Sequence, residues 1–401
     1  MENVTVEQAV ELMSAHTPPL METEEISLLD ALGRILAEDA VAEIDNPPFN
    51  RSPVDGYACR SEDIKQASPK HPVCLTVLEE IDAGSYSEVT VQAGEAVRIM
   101  TGAPIPLGCD CCVRQEDTDY GEDTVSIYAE VRAWENFCFQ GEDFKQGTCM
   151  LEAGSKIKYI EAGILAGMGK DKVFVYRKPK IALLTTGDEV MLPGTPLLPG
   201  KIYNSNQTLL AARMREMGIC PVLEKSVPDK PEILEEEIKK AGTNADLIIT
   251  TGGVSVGKKD ILHEVMERLG AVKIFWRVKL KPGTPSLFSL YRETPVICLS
   301  GNPFGAAANF ELLIRPVLAK MTRDNTLLPV RKKGVMNSNF FKASIERRFI
   351  RGIYEEGKVF LPKGLHSSGV LGSMKGCNCL IDIPPGTDKL SIGDFVDVWL
   401  I

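Results

Sequence analysis

The chain is short of histidine, of paired cysteine motifs, of positive charge and of long apolar runs. It has four histidines in 401 residues, and its eleven cysteines include no two C-x-x-C pairs of the kind a zinc site uses, Cys109 and Cys112 having no second pair to join. Cys109, Cys111 and Cys112 crowd together and Cys377 and Cys379 form a C-x-C. The cysteine count is odd and the first residues carry no export-signal pattern, which argues against a disulfide framework and for reduced, mostly buried thiols. The balance of 45 Lys and Arg against 55 Asp and Glu gives a net charge of −10, so no nucleic-acid partner is expected. No apolar run approaches the roughly 20 residues of a membrane span, and MENVTVEQAVELM has no basic-then-apolar pattern. We expect a cytoplasmic protein with no membrane contact.

What is present is an ordinary globular composition, 44% hydrophobic and 25% charged, in a chain long enough for two to four domains. Residues 5–15 and 27–39 have the spacing of amphipathic helices, and Asn46-Pro47-Pro48-Phe49 breaks the pattern. Strand-like runs at 73–78 and 95–100, amid dense Gly and Pro, suggest a β-rich domain over roughly residues 48–140. The two helices would pack with residues 154–168, making that domain an insertion in an extended segment of 1–47 and 141–178.

From Lys180 the texture becomes alternating strand and helix, which predicts a doubly wound α/β domain over 179–325. Strands are expected at 181–184, 222–227, 247–249, 272–278 and 296–299. Helices are expected at 205–217 with Ser205 as N-cap, at 231–241 with Pro at its first position, and at 304–321. After about residue 326 short runs between turns predict a small C-terminal β-barrel or sandwich over 326–401.

Ligands in such sheets bind at the carboxyl ends of the strands, so the informative loops are 185–189, 250–260, 281–285 and 300–303. The stretch DLIITTGGVSVGKKDILHEVMERL carries Gly252, Gly253, Ser255, Gly257 and Asp260 between a strand and a helix, a geometry that seats anions on backbone N–H groups. Ser300, Gly301, Asn302 and Pro303 form a second turn into a helix. Glu189 and Asp260 supply carboxylates, Thr185, Thr186, Thr250 and Thr251 hydroxyls, and Arg277 and Lys281 cations. Carboxylates beside hydroxyls and an anion cradle suit Mg²⁺ held against phosphates. Each acid taken singly reads more readily as a solvated loop residue or helix N-cap; their shared placement on one edge of the sheet is what favours the metal.

The strings SPVDGYA, TGAPIPLGCDCCVRQEDT, GEDF, TTGDEV, TTGGVSVGKKD, KPGTP and SGNP occur in an order that resembles the molybdopterin molybdenumtransferase family, similar to the C-terminal domain of gephyrin. The resemblance spans nearly the whole chain. It implies a multidomain α/β protein: an extended segment, an inserted β-rich domain, a molybdopterin-binding α/β domain and a C-terminal β-barrel. It also implies insertion of molybdate into adenylylated molybdopterin with release of AMP, assisted by Mg²⁺. The substrate would come from a molybdopterin adenylyltransferase. The enzyme would be a homodimer whose active site combines the α/β domain of one subunit with the inserted domain of the other.

Carried over by position, Asp55, Thr101, Asp229 and Lys281 are catalytic, and Glu189 and Asp260 hold the metal. Substrate falls to Asp143, Gly252, Gly253, Ser255, Gly257, Arg277, Ser300, Asn302, Arg351 and Ser368. Arg277 and Thr284 stand where the family tends to carry lysines, Ser300 where it has proline, and Pro53-Val54 where it has Ala-Met. A neutral Thr284 implies a weaker hold on an oxyanion. Two further readings stay open at this level: a tungstate-preferring paralogue, and a non-catalytic scaffold of the same fold.

Overall fold

The computed structural model describes residues 1–253 and 261–401. They divide into two compact units, Met1–Glu24 with Tyr176–Ile401, and Glu25–Val175.

The first unit is built on a seven-stranded sheet, in the spatial order Glu2–Val4, Val272–Val278, Leu287–Tyr291, Thr294–Leu299, Leu247–Thr251, Ile181–Thr186, Leu223–Val227. Leu287–Tyr291 runs antiparallel to both neighbours, and the other pairings are parallel. A parallel strand covered on both faces must be apolar throughout, and this one shows why. Ile181 and Leu183 enter one core cluster while Ala182 and Leu184 enter the other, and Leu247 and Ile249 alternate with Ile248 in the same way. Helices Val6–Ala15 and Ser205–Glu216 and the helical run of residues 303–322 cover one face. Pro231–Ala241 and Ile261–Arg268 cover the other.

Several expectations need correction. Asn204, not Ser205, caps the helix Ser205–Glu216: its side chain accepts the Gln207 N–H at 3.1 Å. The strands Glu2–Val4 and Leu287–Tyr291 were not expected. Helix Val6–Ala15 packs Val6, Ala9 and Met13 into the α/β core, not against residues 154–168. The expected 304–321 helix contains a π-helical turn at Phe310–Ile314.

Val330–Met336, Lys358–Phe360, Arg348–Glu355, Cys379–Ile383 and Phe395–Leu400 close into a barrel. Phe349, Leu380 and Trp399 join the α/β core, so the barrel shares one apolar interior with that domain.

The second unit holds a five-stranded sheet in the order Cys111–Arg114, Gly56–Cys59, Glu95–Ile99, Val73–Ile81, Thr124–Ile127. A separate core unites Ala31, Leu36 and Ala40 with Phe144, Ile157 and Val175. Residues 27–39 are not a helix. Local turn bonds end at Arg34, and other donors leave the segment: Gly33 N–H reaches Ile157 O, Leu36 N–H reaches Ser155 O and Ala37 N–H reaches Phe174 O. Gly33 itself sits at φ 77°, which a helix does not allow. The cysteines are free, and Cys59 and Cys111 face each other across adjacent strands with their sulfurs 3.8 Å apart. Among the described residues no helix is long and apolar enough to cross a membrane.

Candidate active site

Ile181–Thr186, Leu223–Val227, Leu247–Thr251 and Thr294–Leu299 run parallel, so their carboxyl ends share one edge. The loops leaving that edge line a cavity of about 620 Å³. Glu189, Asp229, Gly252, Gly253, Ser300 and Asn302 all line it. No lysine or arginine is among the described lining residues.

Local chemistry fixes this wall. Gly252 has φ 94°, and a Cβ there would stand 2.2 Å from Thr186 O, so the Thr-Thr-Gly-Gly turn needs glycine for both conformation and clearance. Thr251 Oγ1 donates to Ser300 O at 2.9 Å and Asn206 Nδ2 donates to Gly301 O at 2.8 Å, tying two loops together. Asp188 and Asp229 exchange backbone-to-carboxylate bonds, Asp229 N–H to Asp188 Oδ1 at 3.1 Å and Asp188 N–H to Asp229 Oδ2 at 3.3 Å. Burial raises the Asp229 carboxyl above its usual 3.8, and the charges of Asp188 and Glu189 add to the rise. Asn206 Oδ1 is buried without a hydrogen-bond partner among the described residues, and Asp229 Oδ1 and Thr186 Oγ1 are buried with no well-formed bond, although the Thr186 hydroxyl lies near enough to Asp229 to draw its carboxyl partly back down. Unpaired oxygens of this kind are costly unless a ligand completes them.

Other expected residues are placed differently. Lys281 is not among the cavity's lining residues; its Nζ pairs with Glu346 at 3.2 Å. Arg277 does not line the cavity either, and its guanidinium lies 5.9 Å from the Trp276 ring centre. Arg351 is 0% exposed, stacks 4.0 Å from the Phe304 ring centre, and donates to the carbonyls of Ser367 and Val370. It holds the loop that presents Gly369 and Leu371 to the cavity, while Ser368 O accepts the Phe304 N–H at 3.0 Å. The turn expected as an anion seat therefore has that N–H engaged, and the Asn302 N–H already meets Ser300 Oγ at 3.3 Å. Ser255, Gly257 and Asp260 lie outside the described residues. Sequence reasoning missed Asn206, Tyr203, Gly369 and Leu371; an Asn-Ser-Asn triplet opening a helix was the available signal for Asn206.

Thr284 does not wait for an anion. Its Oγ1 donates to Leu280 O and its carbonyl accepts the Val278 N–H, which closes a tight turn. Thr284→Lys should lose that hydroxyl bond, worth about 1 kcal/mol, and lower Tm by about 2–4 °C. A half-saturating molybdate concentration that falls in the variant would instead place position 284 at the anion.

In the second unit Asp55 and Thr101 meet directly. Asp55 Oδ1 accepts Thr101 Oγ1–H at 2.6 Å and Thr101 N–H at 2.7 Å. The Thr101 hydroxyl, then its backbone N–H, hold the Asp55 carboxyl below 3.8. A depressed carboxylate contributes stability above the unfolded value and loses it as pH falls through the folded one. Thr101→Val keeps one donor and removes the other, so the Asp55 midpoint in an NMR titration should move up toward 3.8. An unmoved midpoint would deny the hydroxyl its role. Asp143 accepts Asn46 Nδ2–H at 2.9 Å.

Comparison with known proteins agrees along the whole chain. Residues 4–169 match the family described as MoeA N-terminal region (domain I and II), 182–320 a probable molybdopterin binding domain, and 333–401 the MoeA C-terminal region (domain IV). The molybdopterin molybdenumtransferase of Staphylococcus epidermidis is 37% identical over 401 residues, 99% of this chain and 95% of that one. Its namesake from Bacillus subtilis is 35% identical over 405 residues, 99% and 94% of the two chains. Two solved MoeA proteins from Pyrococcus horikoshii, at 30% and 31% identity, superpose with TM-scores of 0.87 and 0.80, covering 99% and 100% of each chain. This chain belongs to the molybdopterin molybdenumtransferase family.

Proposed function

We propose that the protein inserts molybdenum during molybdenum-cofactor biosynthesis, taking adenylylated molybdopterin and molybdate and releasing AMP with the help of Mg²⁺. One observation carries this reading: a cavity lined by two carboxylates and a buried, unpartnered Asn206 oxygen, with no lysine or arginine among its described lining residues. A phosphate ligand placed beside Glu189 and Asp229 is repelled unless a cation stands between them. The donor set is all oxygen, which fits Mg²⁺; Glu189 would hold it together with Asp260, both assigned by resemblance, and Asp229 stays free for proton transfer. When bound, the ion offsets charge on the phosphoanhydride and draws electrons from phosphorus.

The chain's own groups do the rest. The Gly252–Gly253 turn and Ser300 position the phosphates and the oxyanion. Asp229, with its raised pKa, takes the proton of an attacking water as that water's oxygen bonds to the adenylate phosphorus. The phosphorus–oxygen bond to the pterin phosphate breaks and its electrons leave with that phosphate. By resemblance Lys281 serves the reaction and Arg277, Arg351 and Ser368 the substrate; Arg351 and Ser368 do so by fixing the loop that carries Gly369 and Leu371. Asp55, Thr101 and Asp143 are assigned to the site of a partner chain in a homodimer.

The test is reconstitution. Purified protein, adenylylated molybdopterin, Mg²⁺ and molybdate should together activate a cofactor-free molybdoenzyme. Activation that proceeds equally without the protein at micromolar molybdate would end the proposal. Tungstate in place of molybdate reads out which oxyanion is preferred.

A further inference from the structure

Two kinds of surface line the cavity, and the anion chemistry uses one of them. Hydroxyls, carboxylates and glycine backbone make the first; Val190, Ile202 and Tyr203 make the second. Ile202 and Tyr203 are 57% and 44% exposed, so they stabilise no core. Yet they are held firmly. Ile202–Tyr203 pairs in parallel with Val190–Met191. Ile202 N–H donates to Glu189 O and Asn204 N–H donates to Met191 O, both at 2.8 Å. The Tyr203 hydroxyl donates to Thr195 O at 3.0 Å, which ties down the far end of the ring. The next residue, Asn204, is buried and caps the following helix. An aromatic ring is thus fixed on the strand pair that also fixes Glu189, with its polar tip already used.

We infer that Tyr203 is a specificity-determining platform on which the flat heterocycle of a phosphate-bearing ligand stacks. This rests on the reading that the cavity takes an adenylylated pterin. Purine and pterin share the relevant chemistry, a fused, planar, nitrogen-rich ring with a phosphate on a short arm. Stacking on an aromatic face recognises such a ring without reading its edge. The tyrosine O–H is spent on Thr195 O, which leaves the ring face as the surface that recognises the heterocycle. Pre-positioning the ring also spares the ligand the cost of ordering a loose side chain.

Calorimetric titration of the wild type, Tyr203→Phe and Tyr203→Leu separates the parts. The probes are AMP, neopterin monophosphate and inorganic phosphate. Tyr203→Leu should weaken one of the two ring-bearing probes by about 5- to 100-fold, the size of a single stacking contact. Tyr203→Phe should bind that probe near wild type, and inorganic phosphate should bind all three proteins alike. The probe that loses affinity identifies the ring seated on Tyr203. Wild-type affinity of the Leu variant for both ring-bearing probes overturns the inference while leaving the anion site standing. So does a Leu variant that loses inorganic phosphate in equal measure, since that loss reports damage to the wall. A wild type that binds neither ring-bearing probe overturns the reading of the cavity, and this inference with it.

Discussion

Glu189→Ala and Asp229→Asn should each lower turnover by about 10²- to 10³-fold, the usual loss when a charge-positioning group is removed, and leave the fold intact. The split between activity and stability follows from where the residues stand. Glu189 sits in a loop beyond the strand Ile181–Thr186, outside the apolar clusters on either face of the sheet. Asp229 goes further. Its carboxyl is raised above 3.8 by burial and then by Asp188 and Glu189, so the ionised form costs the native state free energy. Stability from a raised carboxyl is greatest below its unfolded value and declines as pH rises through the folded one. Asparagine removes that penalty, and Tm at neutral pH should hold or rise. Turnover in the wild type should fade on acidification at a higher pH than an ordinary carboxylate sets, because the base form of Asp229 is lost there. Near-normal turnover in both variants would remove the carboxylates from the mechanism.

The second large effect concerns two inactive proteins that become active together. The resemblance assigns Asp55 to one chain and Glu189 to the other chain of a composite site. Dissociated Asp55→Ala and Glu189→Ala dimers, mixed and reassociated at random, give half heterodimers, each with one intact site of two. About a quarter of wild-type activity should return. A mixture no more active than either parent, with heterodimers present by mass spectrometry, would place the whole site within one chain. The Asp55–Thr101 pair is built whichever outcome is found, because both bonds lie within one unit.

Much of the fold was legible where chemistry is local. The run Ile181–Thr186 is apolar and ends in two threonines, and a strand buried on both faces needs that composition. Pro231 marked a helix start that the structure keeps. The failures came where long-range bonding overrode local pattern. Residues 27–39 have helical spacing, but the donors of Gly33, Leu36 and Ala37 are taken by Ile157, Ser155 and Phe174, more than a hundred positions on. Glu2–Val4 is too short to read, and it is a strand because Val272–Val278 offers it an edge.

The site divides in the same way. The carboxylates and glycines were visible because strand-end loops are where an α/β sheet exposes chemistry. Lys281 and Arg351 were assigned by position in a motif, and position says nothing of partners. Glu346 draws the first away from the cavity wall, and two carbonyls bury the second. Gly369 and Leu371 were invisible, since only the docking of the barrel on the α/β domain brings them to the cavity.

The central claim is that the Glu189–Asp229 cavity couples oxyanion use to cleavage of the adenylate. The most direct measurement follows AMP and bound molybdenum together after the purified protein meets adenylylated molybdopterin. AMP should appear in step with molybdenum, in equal amount, only when Mg²⁺ and molybdate are both present, and should all but vanish in Glu189→Ala. AMP released at the same rate without either ion, or undiminished in that variant, would contradict the account.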